Sequence, residues 1–154
     1  MPRREYGAPA QITPQSPGDY LEVITKAAFQ AGISWAVIEA KWDGIRTCFH
    51  DFDATKVAAM TPDDVDRLME DTRVIRNRKK IEATIDNAVA VIELDEEHDG
   101  FGNYLDSLGG FEAKVKRLRK DFRFLGDFGA YYFLYVVGQE VPSHEEFRAS
   151  RAKS

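Results

Sequence analysis

The stretch FQAGISWAVIEAKWDGIRTCFHDFDATKVAAMTPDDVDRLMEDTRVIRNRKKIEATIDNA, residues 29–88, decides the fold. It shows no alternation convincing enough for a half-buried strand; its apolar residues recur at helical spacing between short turn signals. Ala31-Gly32 ends one helix and Ser34 caps the next. From Trp35 to Trp42 the apolar positions fall at 35, 38 and 42, and Asp43-Gly44 is expected to interrupt the helix before a continuation over Ile45–Phe49. Asp53 or Thr55 starts a short helix through Met60. Thr61-Pro62-Asp63-Asp64 reads as a restart, with proline in the first turn and acids at the positive end, and Val65, Leu68 and Met69 face inward. Asn77 to about Leu94 is the longest periodic run. Its stripe of Ile81, Ile85, Ala88, Val89 and Ile92 predicts the central core helix.

Outward from this stretch the pattern continues. A lead with prolines at 2, 9, 14 and 17 precedes a first helix, started by Gly18 or Asp19 and carrying Tyr20, Val23, Ile24, Ala27 and Ala28. Beyond the acidic turn at 95–100, helices are expected over Phe101–Leu108 and Phe111–Arg119. Gly126 to Gly129 reads as a tight turn before AYYFLYVV (130–137), a buried helix closed by Gly138. Those residues also favour strands, yet a lone strand would have nothing to pair with. The expectation is an all-α orthogonal bundle: an irregular lead over 1–18, one helical domain over 19–148 and a flexible tail over 149–154.

With 154 residues, 44% hydrophobic and 12% aromatic, the chain can bury one real core. A net charge of -5 argues against a protein that coats nucleic acid through many cations. Cations nevertheless gather in RVIRNRKK (73–80) and AKVKRLRKDFR (113–123), which either share one face or are the solvated sides of two helices. The single cysteine, Cys48, lies in an apolar stretch and reads as a buried structural thiol in a reducing compartment, the cytoplasm. No apolar run follows Arg3 and Arg4, and no window approaches membrane-spanning length.

QAGISW, the CFHDFD…KVAAM run and VIRNRKKI resemble the signature core of the 3-methyladenine DNA glycosylase I family. The resemblance runs weakly through NYLDSL (103–108) and resumes at FRFLGDFGAYYFLYVVGQEVPSH (122–144), covering about two-thirds of the chain. It implies a helix-hairpin-helix glycosylase fold, damaged double-stranded DNA as partner, and hydrolysis of the N-glycosidic bond of an alkylated purine; separately, the chain is expected to be a monomer. EYGAP (5–9) resembles the family's Glu-Trp-Gly-x-Pro. The family's zinc ligands have no counterpart beyond His144, so no metal or other cofactor is expected. The acid that the family carries eight positions before its loop tryptophan is Ala27 here.

An enzyme of this kind must extrude a base, hold it by stacking and tolerate positive charge developing on the sugar. By the resemblance, Gln30, Gly32 and Ile33 form the loop that probes the gap left by the base, and Trp35 is the pocket wall; the alternative is an ordinary helical hairpin with both apolar residues inside. Trp42 and Tyr20 join Trp35 as candidate base-binding residues. Glu39, one helical turn after Trp35, interrupts an apolar stripe and is the candidate catalytic carboxylate, unless it merely pairs with Arg46 or Lys41 or is simply exposed. Glu22 is the second candidate. Arg76, Asn77, Arg78 and Lys79 are expected to meet phosphates, with a structural pair from Arg76 to Asp66 or Glu70 as the alternative. Gly126 and Gly129 belong to the hairpin whose amides would bind a phosphate, and Asp127 is expected to cap the following helix. Two further readings remain open: a lesion-binding relative without activity, and a helical scaffold for protein partners.

Overall fold

Local side-chain chemistry sets the helix boundaries. The computed structural model describes residues 9–152; the first eight residues of the lead, and with them most of the EYGAP motif, lie outside these. Ser16 accepts from the Asp19 amide and Pro17 takes the first position of α1 (Pro17–Gln30), so the helix begins before Gly18. The end of the lead is fastened: Gln11 Nε2 donates to the Tyr135 carbonyl at 2.9 Å and the Ile12 amide to that of Val136 at 2.8 Å.

The second helix, α2 (Trp35–Cys48), runs unbroken through Asp43-Gly44, contrary to the expected interruption. Gly44 is there for space: a Cβ on it would stand 2.9 Å from the Arg73 Cβ. A left-handed turn over His50–Phe52 follows. Asp53 caps α3 (Ala54–Ala58), and Thr61 and Asp64 close a reciprocal capping box on α4 (Pro62–Leu68). Then come α5 (Arg78–Glu97), capped by Asn77, α6 (Phe101–Ser107), α7 (Phe111–Asp121) and α8 (Asp127–Val136).

The central helix α5 packs on α1, α3, α4 and α6, while α1 also carries α2 and α8. Leu21, Ile24, Phe29, Ile81, Ala88, Val91 and Phe133 form the heart of the core. The buried face of α5 is rotated from the expected stripe: Val89 is exposed, and Thr84, Asn87 and Val91 are buried instead. Asn87 is tolerated because its amide is satisfied, donating to the Arg123 carbonyl at 3.2 Å and accepting from the Arg123 amide at 2.9 Å.

The expected tail is a ninth helix as far as it is described, α9 (His144–Ala152). Ser143 accepts from the Glu146 amide at 3.1 Å and donates to its carboxylate at 3.0 Å. Phe147 is buried against Tyr131 at 4.5 Å, and Arg151 reaches Asp127 and Glu112.

Cys48 is buried as expected and donates to Asp71 Oδ2 at 3.5 Å. Burial first, then that hydrogen bond and the Asp71 charge, push its thiol up to about 11. The native state therefore favours the neutral thiol, and the resulting stabilisation should fade as pH rises from 9.0 toward about 11. Alkylation of native Cys48 should lag behind that of a free thiol across this range; equal rates would show the site to be open.

Gly18 gives a sharper test. A Cβ there would stand 2.2 Å from the Phe52 carbonyl oxygen. Gly18→Ala is expected to destabilise by about 1–3 kcal/mol in urea denaturation, although alanine in an unobstructed helix stabilises.

Candidate functional site

The turn joining α1 to α2 is held from below. Lys80, on the buried side of α5, donates its ammonium to the carbonyls of Phe29, at 3.2 Å, and Ala31, giving the open end of α1 its missing donors. Desolvation lowers the lysine pKa. Above it, Gly32 adopts φ +82° with nothing within 4 Å of a notional Cβ, so the tip is open, and Ser34 starts α2 by accepting from the Val37 amide at 3.2 Å. Ile33 is partly buried against the core. Gln30 Nε2 is a buried donor without a hydrogen-bond partner among the described residues.

This turn places Trp35 at the first position of α2, 39% exposed, with its ring edge-on to Tyr132 at 5.9 Å. Across from it, the Lys26 ammonium on α1 lies 5.5 Å from the Trp35 ring centroid, 5.1 Å from that of Trp42 and 3.8 Å from Glu39 Oε1. Glu39 thus pairs with neither expected partner: Arg46 goes to Glu22, at 3.3 Å, and Lys41 to the Thr72 carbonyl, at 2.8 Å. Glu22 also accepts from Trp42 Nε1 at 2.8 Å, and the Trp42 ring lies flat against Phe52 at 5.5 Å. Burial, then the charges of Glu39 and Glu22, raise the Tyr132 pKa, so phenol and carboxylates sense one another.

The structure therefore gathers Trp35, Glu39, Trp42 and Glu22 into one cluster and adds Lys26 and Tyr132, which sequence reading missed. Tyr20 is not part of it. That ring packs on Phe101 at 4.7 Å and on Phe133 at 6.3 Å, on the α6 side of α1. Ala27 is sealed 3.6 Å beneath the notional Cβ of Gly129, which makes Gly129 a packing glycine between α8 and α1 rather than a hairpin tip.

Gly126 is the exposed N-cap of α8. Asp127 does not cap; its oxygens accept from Arg119 and Arg151, each at 2.9 Å, so two guanidiniums neutralise it beside the helix N-terminus. Ahead of this turn Phe124 sits at φ +60°, unusual for an aromatic residue, with its ring 5.8 Å from the Lys80 ammonium. The turn and the hairpin therefore meet at Lys80. The FRFLGDFG pattern, aromatics around a glycine bend, is the signal that could have marked Phe124. Arg76 and Lys79 are exposed without ion pairs among the described residues, whereas Arg78 pairs with Asp66 at 2.6 Å and Asn77 spends its side chain capping α5. His144 lies against Tyr131, away from the cluster. A cavity of about 510 Å³ near the α1 N-terminus and one of about 610 Å³ along α7 include neither Trp35 nor Glu39.

Residues 12–123 match the model of the methyladenine glycosylase family. The chain belongs to that family. It is 39% identical over 94 residues to DNA-3-methyladenine glycosylase 1 of Escherichia coli K12, which covers 61% of this chain and 50% of that protein. The chain thus spans about half the length of this curated relative. Among solved structures, a 3-methyladenine DNA glycosylase I from Staphylococcus aureus superposes with TM-score 0.74 at 25% identity, covering 84% of this chain and 80% of that one. A solution structure of a 3-methyladenine DNA glycosylase I gives 0.71 at 32% identity, covering 91% and 83%. The helix-hairpin-helix glycosylase architecture expected from the sequence is therefore the fold of this methyladenine glycosylase family member.

The Glu22 junction is testable. Glu22→Ala leaves Arg46 and the Trp42 indole N–H without their acceptor, and is expected to cost about 2 kcal/mol with a shift in tryptophan fluorescence. An unchanged melting curve and spectrum would show that the junction is not made in solution.

Proposed function

We propose that this chain is a DNA base-excision N-glycosylase that removes an alkylated purine of the 3-methyladenine class from damaged double-stranded DNA, acting as a monomer in the cytoplasm. The observation carrying this reading is the exposed indole of Trp35, fixed at the helix start beside the open Gly32 turn, with the half-exposed carboxylate of Glu39 one helical turn further on. Gln30 and Ile33 enter the gap as the base leaves the stack, and an apolar side chain between base steps has physical precedent. Arg76, Lys79 and the Gly126 hairpin hold phosphates on either side.

A purine methylated on a ring nitrogen is already positively charged and leaves as a neutral base, so no strong general acid is required. Trp35 binds it through the ring face, where cation–π attraction favours the charged base. As the glycosidic bond lengthens, positive charge moves to the sugar, and Glu39 stabilises it electrostatically. One observation favours a second reading, lesion binding without excision: Ala27 supplies no carboxylate and is sealed from solvent.

Incubation with methylated duplex DNA should release free 3-methyladenine. Trp35→Ala should lower kcat/KM by roughly 10- to 100-fold, the worth of one stacked base. Glu39→Gln should slow release while leaving lesion binding in place; unchanged release would dispose of the catalytic assignment, and binding without release by the unaltered protein would support the second reading. Replacing Arg76 and Lys79 by alanine should weaken binding to all sequences alike and lower the salt slope by about one for each phosphate no longer neutralised.

A further inference from the structure

The space in front of Trp35 is occupied. The Lys26 ammonium stands over the rings of both Trp35 and Trp42 and beside Glu39, and its side chain is only 23% exposed. Tyr132 closes the edge of the Trp35 ring, and Glu22, held by Trp42 and Arg46, backs the second indole. Two indoles and a carboxylate around one ammonium make a cation cage. A flat base stacked on the indole face beneath that ammonium would need the same volume.

We propose that Lys26 is a resident cation that holds the cage closed and is exchanged for the cationic purine when a damaged base enters. The proposal rests on the reading of Trp35 as the base-stacking wall. Its chemistry is substitution of like for like. When the lysine swings out to solvent, the two ring faces and Glu39 lose their cation; an N-alkylated purinium restores that charge, whereas an ordinary neutral base leaves it missing. Lys26 therefore sets the affinity of the cage and not its preference. It imposes the same displacement cost on every entrant, while the two ring faces and Glu39 select the cation that restores the missing charge.

Exchange has a signature that other roles for Lys26 do not share. Because the ammonium leaves before any base stacks, Lys26→Met should strengthen binding of a charged and an uncharged base by the same factor, at least roughly fivefold, since a single cation–π contact is worth that much and Lys26 makes two. The probes are 3,9-dimethyladenine, a cation in neutral water, and 3-methyladenine, neutral there, titrated by tryptophan quenching against the full chain. Lys26→Arg, whose planar guanidinium stacks better on indoles, should weaken both. In protein carrying carbon-13 lysine, the Lys26 Cε resonance, displaced by the ring currents of two indoles, should move to the position of a solvent lysine on saturation with either probe.

A gain confined to the charged probe would mean that Lys26 stays in place and repels it, which overturns exchange. Equal or weaker binding of both probes by the methionine variant, with an unchanged melting temperature, would make Lys26 a structural or contacting residue and also overturns it. A stationary Cε signal during saturable binding does the same while leaving the base pocket intact. If neither probe binds any variant, Trp35 is not the stacking wall and the functional reading fails together with the proposal.

Discussion

The interaction on which the arrangement depends is the hydrogen bonding of the Lys80 ammonium to the last carbonyls of α1. A helix C-terminus leaves its final carbonyls without intrahelical donors, and burying them unpaired is costly. A charged donor from the central helix removes that cost and also fixes where α1 stops. From that stop follow the open Gly32 bend, the Ser34 cap and the placing of Trp35 at the first position of α2. One turn further back, Lys26 comes to lie opposite the indole. The cluster is thus a consequence of how one helix is ended.

The same helix governs the hairpin. Asn87 grips the Arg123 backbone in both directions and orients the segment that carries Phe124 into the start of α8. Asp127 at that start is turned sideways by Arg119 and Arg151, which leaves the amides of the helix end with their positive potential uncancelled. Arg151 belongs to α9, so the last helix is joined to the hairpin chemistry rather than appended to the domain.

Much of the fold is legible in the sequence because the relevant signals are local. Thr61-Pro62-Asp63-Asp64 specifies a helix start in four residues, and Asn77 caps α5 where the periodicity begins. Two kinds of feature escape such a reading. Gly44 looks like a breaker because a close approach by Arg73 cannot be seen in one dimension. The helix at the C-terminal end is hidden although Ser143-x-x-Glu146 is a capping-box pattern, because its apolar anchor is a single residue, Phe147. Within the cluster, Trp35 and Glu39 are accessible to helical spacing. Lys26 and Tyr132 are not, since they arrive from α1 and α8, and neither Tyr20 nor Gly129 reveals from its neighbours in sequence which side of its helix meets the core.

Lys80 and Asn87 are separated by seven residues of one helix, a rise of about 10.5 Å. The interval between the two loops is consequently ruled by helical pitch, as the jaws of a caliper are ruled by its beam. Changes of sequence at either tip leave that measure untouched, whereas a single insertion in α5 between the anchors would rotate one jaw by about 100° relative to the other.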